Sequence, residues 1–143
     1  MTKNNKFQII AEIASNWNGS EILGKKIIKQ ASQSGADYVK FQMWKALDLY
    51  ETTNPNWNEI KKSEMTSNTA KKFKKYSDSL GINCIWSVFY PEAVEILENL
   101  DVSLYKIASR TSALMDSNSL ETLKAIAKTK KPVIISMGFG GDK

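Results

Sequence analysis

Seven side chains suited to holding a small anionic molecule are spread along this chain: Glu12, Lys40, Gln42, Ser87, Lys106, Ser109 and Ser136. Each falls at or near the carboxyl end of a predicted strand, so that every predicted strand supplies at least one polar group to a common rim. Lys40 and Gln42 are two residues apart and therefore project from the same side of their strand. Two ammonium groups with several hydroxyls suit a ligand that carries phosphate and carboxylate groups. The bland reading is that Glu12 and Lys40 neutralise each other as a structural pair and that Lys106 reaches solvent along its alkyl stem. The stretch Gly138-Phe139-Gly140-Gly141 could offer backbone N–H groups to a phosphate, but without Walker spacing or a following helix it is a weak motif.

Other chemistry is excluded by composition. The chain of 143 residues has no histidine. Ser-His-Asp and Cys-His catalysis and most zinc sites are thereby removed, leaving Lys, Glu, Asp, Ser, Tyr or a cofactor to act. The single cysteine, Cys84, cannot form an internal disulfide, and its neighbours Ile82, Ile85 and Trp86 predict a small buried side chain. A formal net charge of +5 could suggest nucleic acid. The lysines, however, fall largely on predicted helix faces (Lys25, Lys26, Lys71, Lys72, Lys74, Lys75, Lys128, Lys130, Lys131), and no nucleic-acid-binding motif accompanies them, so no nucleic-acid partner is expected. No uncharged apolar run approaches the ~20 residues of a membrane span, and the polar lead Met1 to Asn5 does not resemble a secretory signal. A cytoplasmic location without membrane contact is the expectation.

The elements that must position these residues alternate between strand and helix. Phe7 to Ile13 reads as a strand. Ser20 then caps a helix with Ile22, Leu23, Ile27, Ile28 and Ala31 at helical spacing. Strands follow at Ala36 to Gln42, Ile82 to Phe89, Ser103 to Ile107 and Val133 to Met137. Helices are predicted from Thr69 to Leu80, from Pro91 towards Asn99, and from Ser117 to Lys128, with Pro91 in the first turn where proline is tolerated. Repeated βα units imply a parallel sheet, since parallel strands need long crossovers. One connection, Met43 to Asn68, is long, and Trp44, Tyr50 and Trp57 within it either shape a pocket or simply pack. Two architectures fit: a flavodoxin-like open sheet, which the length favours, or the first five units of a (β/α)8 barrel, which typically needs about 250 residues.

Four ordered segments resolve that choice. IIAEIASNWNGS (Ile9 to Ser20), GADYVKFQ (Gly35 to Gln42), LYKIAS (Leu104 to Ser109) and KPVIISMG (Lys131 to Gly138) resemble the N-acetylneuraminate (sialic acid) synthase family in order and spacing. The resemblance implies the N-terminal part, about five βα units, of a TIM barrel across residues 1–143, with the family's later strands and its C-terminal antifreeze-like domain absent. It implies a condensation of phosphoenolpyruvate with the aldehyde of an N-acetylated amino sugar, giving a nonulosonic acid and phosphate. A divalent metal, Mn2+ or Mg2+, is implied as cofactor, with its two histidine ligands beyond this chain. By the same resemblance Lys40 and Lys106 hold phosphoenolpyruvate, Ser109 and Ser136 donate to its phosphate, and Glu12 and Gln42 lie near the sugar and reacting carbons. Ser87 and Asn16 join the substrate-binding set.

The departures from the family matter as much. Trp17 stands where a histidine is common, Thr111 where a proposed acid-base glutamate is common, and Val88 and Met137 where threonines are common; the last two are expected to remove donors near the ligand. A barrel lacking three strands leaves its first and fifth strands as open edges, so a homo-oligomer or a complementing chain is expected. Two other functions stay open: a degenerate barrel that binds phosphoenolpyruvate or a partner chain without turnover, and a class I aldolase using Lys40 or Lys106 as a Schiff base.

Overall fold

A computed structural model describes residues 7–138. Five strands alternate with helices: β1 (Ile10–Ala14), α1 (Glu21–Gln33), β2 (Tyr38–Met43), α2 (Ala46–Leu49), α3 (Trp57–Lys62), α4 (Ser67–Ser79), β3 (Asn83–Val88), α5 (Pro91–Glu98), β4 (Tyr105–Ile107), α6 (Ser109–Ser112), α7 (Ser119–Thr129) and β5 (Val133–Ile135). The predicted alternation holds, with strand ends shifted by up to three residues and β1 and β2 each running one residue further than predicted. The connection expected as one long loop contains α2 and α3.

Local chemistry sets these boundaries. Ser20 Oγ accepts the Leu23 N–H at the start of α1, and Thr66 Oγ1 accepts the Thr69 N–H at the start of α4, each satisfying a donor that the helix itself cannot. Pro91 opens α5. Gly81, at a φ of +69°, takes the left-handed turn after α4 that a side chain would resist.

The strand order is β1-β2-β3-β4-β5 with every neighbouring pair parallel. A flavodoxin-like sheet would place β2 outside β1, so that architecture is excluded. Sequential order with right-handed crossovers sends every connecting helix to the same side of the sheet. The core confirms this arrangement. Ile13, Val39, Phe41, Met43, Cys84, Trp86, Val88, Tyr105 and Ile107 all pack with Ile28, Phe73, Val94, Leu97 and Ile126 from the helices. By strand alternation, Glu12, Lys40, Gln42, Ile85, Ser87 and Lys106 point to the opposite side. β1 ends in a bulge, where Glu12 pairs with Lys40 and Ala14 with Phe41, and Ala14 has a φ of +49°. Cys84 is 2% exposed, and burial pushes its thiol pKa up, as expected for a packing residue.

Helices α1 and α4 meet at Gly24. A Cβ built there would lie 2.3 Å from Phe73 Cζ. Phe73 cannot step aside easily, because it is fully buried, stacks on Phe41 at 4.8 Å and meets Trp17 edge-on at 5.5 Å. Alanine gains about 1 kcal/mol over glycine in helix propensity, but overpacking costs typically 1–3 kcal/mol. Gly24→Ala is therefore expected to lower stability, seen as a lower urea midpoint with an unchanged slope.

Candidate active site

The helix-free side of the sheet gathers the sequence-predicted residues in two register rows. Glu12, Lys40 and Ile85 are neighbours in one row. Gln42, Ser87, Lys106 and Ile134 form the next, closer to the carboxyl ends of the strands. Lys40 is only 7% exposed, and its Nζ donates to Ser87 Oγ at 3.1 Å and pairs with the Glu12 carboxylate. Glu12 keeps half of its side chain open to solvent. Ser87 is buried, so Lys40 supplies the polar partner that its hydroxyl requires.

Lys106 Nζ donates to Ile107 O at 2.7 Å and to Ser136 Oγ at 2.5 Å. Burial first, and then the Lys40 charge, hold its pKa below the ordinary lysine value, while Glu12 opposes them. Ser136 is fixed from several sides: its N–H donates to Ile107 O at 3.0 Å and its carbonyl accepts Ser112 Oγ at 2.7 Å. Ser109, the first residue of α6, accepts the Gly138 N–H at 3.2 Å. The approach is close, and a Cβ at position 138 would stand 3.0 Å from Ser109 Oγ. The remainder of the glycine stretch, residues 139–141, lies outside the described residues.

Of the predicted residues, Asn16 stands apart. Its backbone N–H closes a turn onto Ile13 O at 2.9 Å and its side chain is exposed. Gln42 instead opens onto a pocket of about 360 Å³ lined by Trp44, Tyr50, Phe89, Arg110 and Met115 among others. Trp44 and Tyr50 meet edge-on at 6.0 Å in its wall, while Trp57 packs on the buried cluster of Trp44, Ala46 and Phe89. The long connection thus divides between pocket wall and plain packing. Arg110 is held in a two-point pair with Asp116, Nε to Oδ2 at 2.8 Å and Nη2 to Oδ1 at 2.5 Å. Reasoning from sequence missed Arg110, Ser112 and Met115; the run Ser109-Arg110-Thr111-Ser112 directly after β4 was the available signal.

One expectation drawn from the family departures is corrected. Val88 does not replace a donor on the lysine side, because it is fully buried in the helix-side core. Met137 follows Ser136 and is 55% exposed, whereas Ser136 is the residue that meets Lys106. Thr111 is 1% exposed with a hydroxyl that has no hydrogen-bond partner, and Trp17 is 3% exposed with an unpartnered indole nitrogen.

Two cations against one carboxylate leave this side net positive, with hydroxyls fixed around the ammonium groups. Such an arrangement binds anions and stabilises negative charge that develops on them. Among the described residues no group of three or more His, Cys, Asp or Glu side chains could hold a metal ion. Among those residues, too, no helix is long and apolar enough to cross a membrane.

Comparison with known proteins identifies the family. A model described as the NeuB family matches residues 27–141. The chain belongs to the NeuB family. It is 33% identical over 148 residues to the N,N'-diacetyllegionaminic acid synthase of Campylobacter jejuni, covering 94% of this chain and 43% of that protein. With the N-acetylneuraminate-9-phosphate synthase of Homo sapiens the identity is 30% over 144 residues, covering 92% of this chain and 39% of that protein. The chain thus spans about two fifths of the length of these curated relatives. In fold it is similar to an N-acetylneuraminic acid (sialic acid) synthetase from Leptospira borgpetersenii, with a TM-score of 0.83 at 23% identity over 99% of this chain and 50% of that one. Membership in the NeuB family accords with the four segments quoted from the sequence.

Proposed function

We propose that this NeuB-family chain supplies the phosphoenolpyruvate side of a nonulosonic acid synthase, built on the first five units of a (β/α)8 barrel. In the proposed reaction the enol carbon of phosphoenolpyruvate bonds to the aldehyde carbon of an N-acetylated amino sugar, and phosphate is released. The observation that carries the reading is the placement of Lys40, Ser87, Lys106 and Ser136 on the helix-free side, as two hydrogen-bonded lysine–serine pairs. Lys40 and Lys106 would compensate the phosphate and carboxylate charges, Ser87, Ser109 and Ser136 would orient the phosphate, and Gln42 and Glu12 would face the sugar. A divalent ion, Mn2+ or Mg2+, belongs to this proposal with ligands from outside this chain. So do a cytoplasmic location and association with a second copy or a complementing chain, since β1 and β5 each have one neighbour.

The test is calorimetric titration with phosphoenolpyruvate, joined to a phosphate-release assay with Mn2+ and an N-acetylated amino sugar. Binding competed by inorganic phosphate supports the reading, and release of phosphate shows that the chain suffices for turnover. Binding without release favours a barrel portion that holds phosphoenolpyruvate for a partner chain. Failure to bind phosphoenolpyruvate overturns both.

The pH dependence is also specified. Lys106 binds an anion as the ammonium ion, and its depressed pKa means that this form is lost at a lower pH than for an ordinary lysine. Phosphoenolpyruvate affinity should fall on the alkaline side, with proton uptake on binding visible as a buffer-dependent heat. Lys106→Arg, which does not titrate in that range, should flatten the profile.

A further inference from the structure

The surroundings of Lys106 allow chemistry that the proposed condensation does not use. A neutral lysine amine has two N–H donors and one lone pair. Lys106 Nζ already has two acceptors in place, Ile107 O at 2.7 Å and Ser136 Oγ at 2.5 Å. Both hydrogens of the neutral form can thus be held by the protein, leaving the lone pair as the free direction. Next to it, Lys40, 7% exposed and bonded to Ser87, offers a fixed positive charge on the same side of the sheet.

We propose that Lys106 captures phosphorylated aldehydes as a covalent imine, with the phosphate anchored by Lys40 and the neighbouring hydroxyls. The proposal rests on the anion-binding reading of this site and adds a reactive amine to it. In the reaction the Nζ lone pair adds to the carbonyl carbon and a proton moves from nitrogen to the carbonyl oxygen. The carbinolamine then loses water to form the C=N bond. No oxidant or reductant is consumed. Phosphoenolpyruvate has no carbonyl carbon outside its carboxylate and would occupy the site without reacting. The charges facing Lys106 are those of Lys40 and Glu12, and with burial their balance lowers its pKa, which enlarges the neutral fraction available for attack. Exposed amines such as Lys26, Lys71 and Lys75 lack this enclosure.

The probe is pyridoxal 5′-phosphate, which joins an aldehyde to a phosphate. The 143-residue chain is incubated with a small excess, reduced with borohydride and mapped by peptide mass. One phosphopyridoxyl group on Lys106 is expected, reduced several-fold by excess inorganic phosphate and absent in Lys106→Met. Protection by phosphate is measured on the unaltered chain, so the outcome does not depend on the variant folding. Label spread over surface lysines with Lys106 unmodified, label on Lys40 instead, or equal labelling by unphosphorylated pyridoxal would each overturn the proposal. A chain that binds phosphoenolpyruvate in calorimetry yet leaves Lys106 unlabelled loses this inference alone. A labelled chain that does not bind phosphoenolpyruvate loses the condensation reading alone.

Discussion

Lys40→Met is expected to weaken phosphoenolpyruvate binding by roughly 10- to 150-fold, the equivalent of a charge-assisted hydrogen bond of about 1.5–3 kcal/mol. Methionine preserves most of the alkyl packing of the lysine, so the change acts on charge rather than on volume. It also has a second consequence. Lys40 is the partner of both Ser87 and Glu12, and without it the Glu12 carboxylate is left facing the ligand unneutralised. Part of the loss is then repulsion and not missing attraction. The double variant Lys40→Met/Glu12→Gln separates the two: affinity should partly recover if Glu12 repels the ligand, and stay at the single-variant level if it does not. The folded state is expected to lose about 1–3 kcal/mol in both, because the buried Ser87 hydroxyl has lost its partner. Calorimetric titration beside urea unfolding reads both effects. Unchanged affinity in Lys40→Met would remove the anion site from this side of the sheet.

The fold and the candidate site were legible in the sequence to different depths. The longer helices were readable from start signals such as Ser20 and Pro91 and from apolar spacing, and the long strands from their apolar runs, whereas the short helices α2, α3 and α6, which lack a side-chain cap, were not. The order of the strands was not local information. Length favoured an open flavodoxin-like sheet, and only the four family segments pointed the other way. The lysine pair was legible because a period of two fixes sides, so Lys40 and Gln42 had to share one. That same rule could have placed Val88 correctly: it alternates with Ser87, and its position in the helix-side core follows from parity. Strand alternation, rather than the family position, fixes where Val88 lies. Asn16 lies outside the lysine rows because it follows the bulge at Ala14, where the ladder no longer fixes direction. The Arg110–Asp116 pair and the tie from Ser112 to the Ser136 carbonyl join residues across turns whose geometry no periodicity encodes.

Phe73→Ala should lower stability by about 3–5 kcal/mol, against the ~5–15 kcal/mol typical of a domain. The ring is fully buried where α1, α4 and β2 meet, touching Phe41 and Trp17, and the space vacated cannot be filled by its stacked neighbours without moving the strand. Phe41 lies between Lys40 and Gln42 in β2, so a shift there displaces both ligand-facing residues. Phosphoenolpyruvate affinity should therefore fall together with the urea midpoint, although Phe73 lies on the far side of the sheet. The decisive control uses the contact with Gly24. In Phe73→Leu the distal ring atoms that a Cβ at position 24 would strike are gone, and the volume lost is small enough for the chain to remain folded. Gly24→Ala then destabilises the unaltered chain but should stabilise the Phe73→Leu chain, since only the helix-propensity gain of about 1 kcal/mol remains. A change of sign between the two backgrounds demonstrates that packing against Phe73 sets the α1–α4 spacing. Equal effects in both backgrounds would show that packing against Phe73 does not set that spacing.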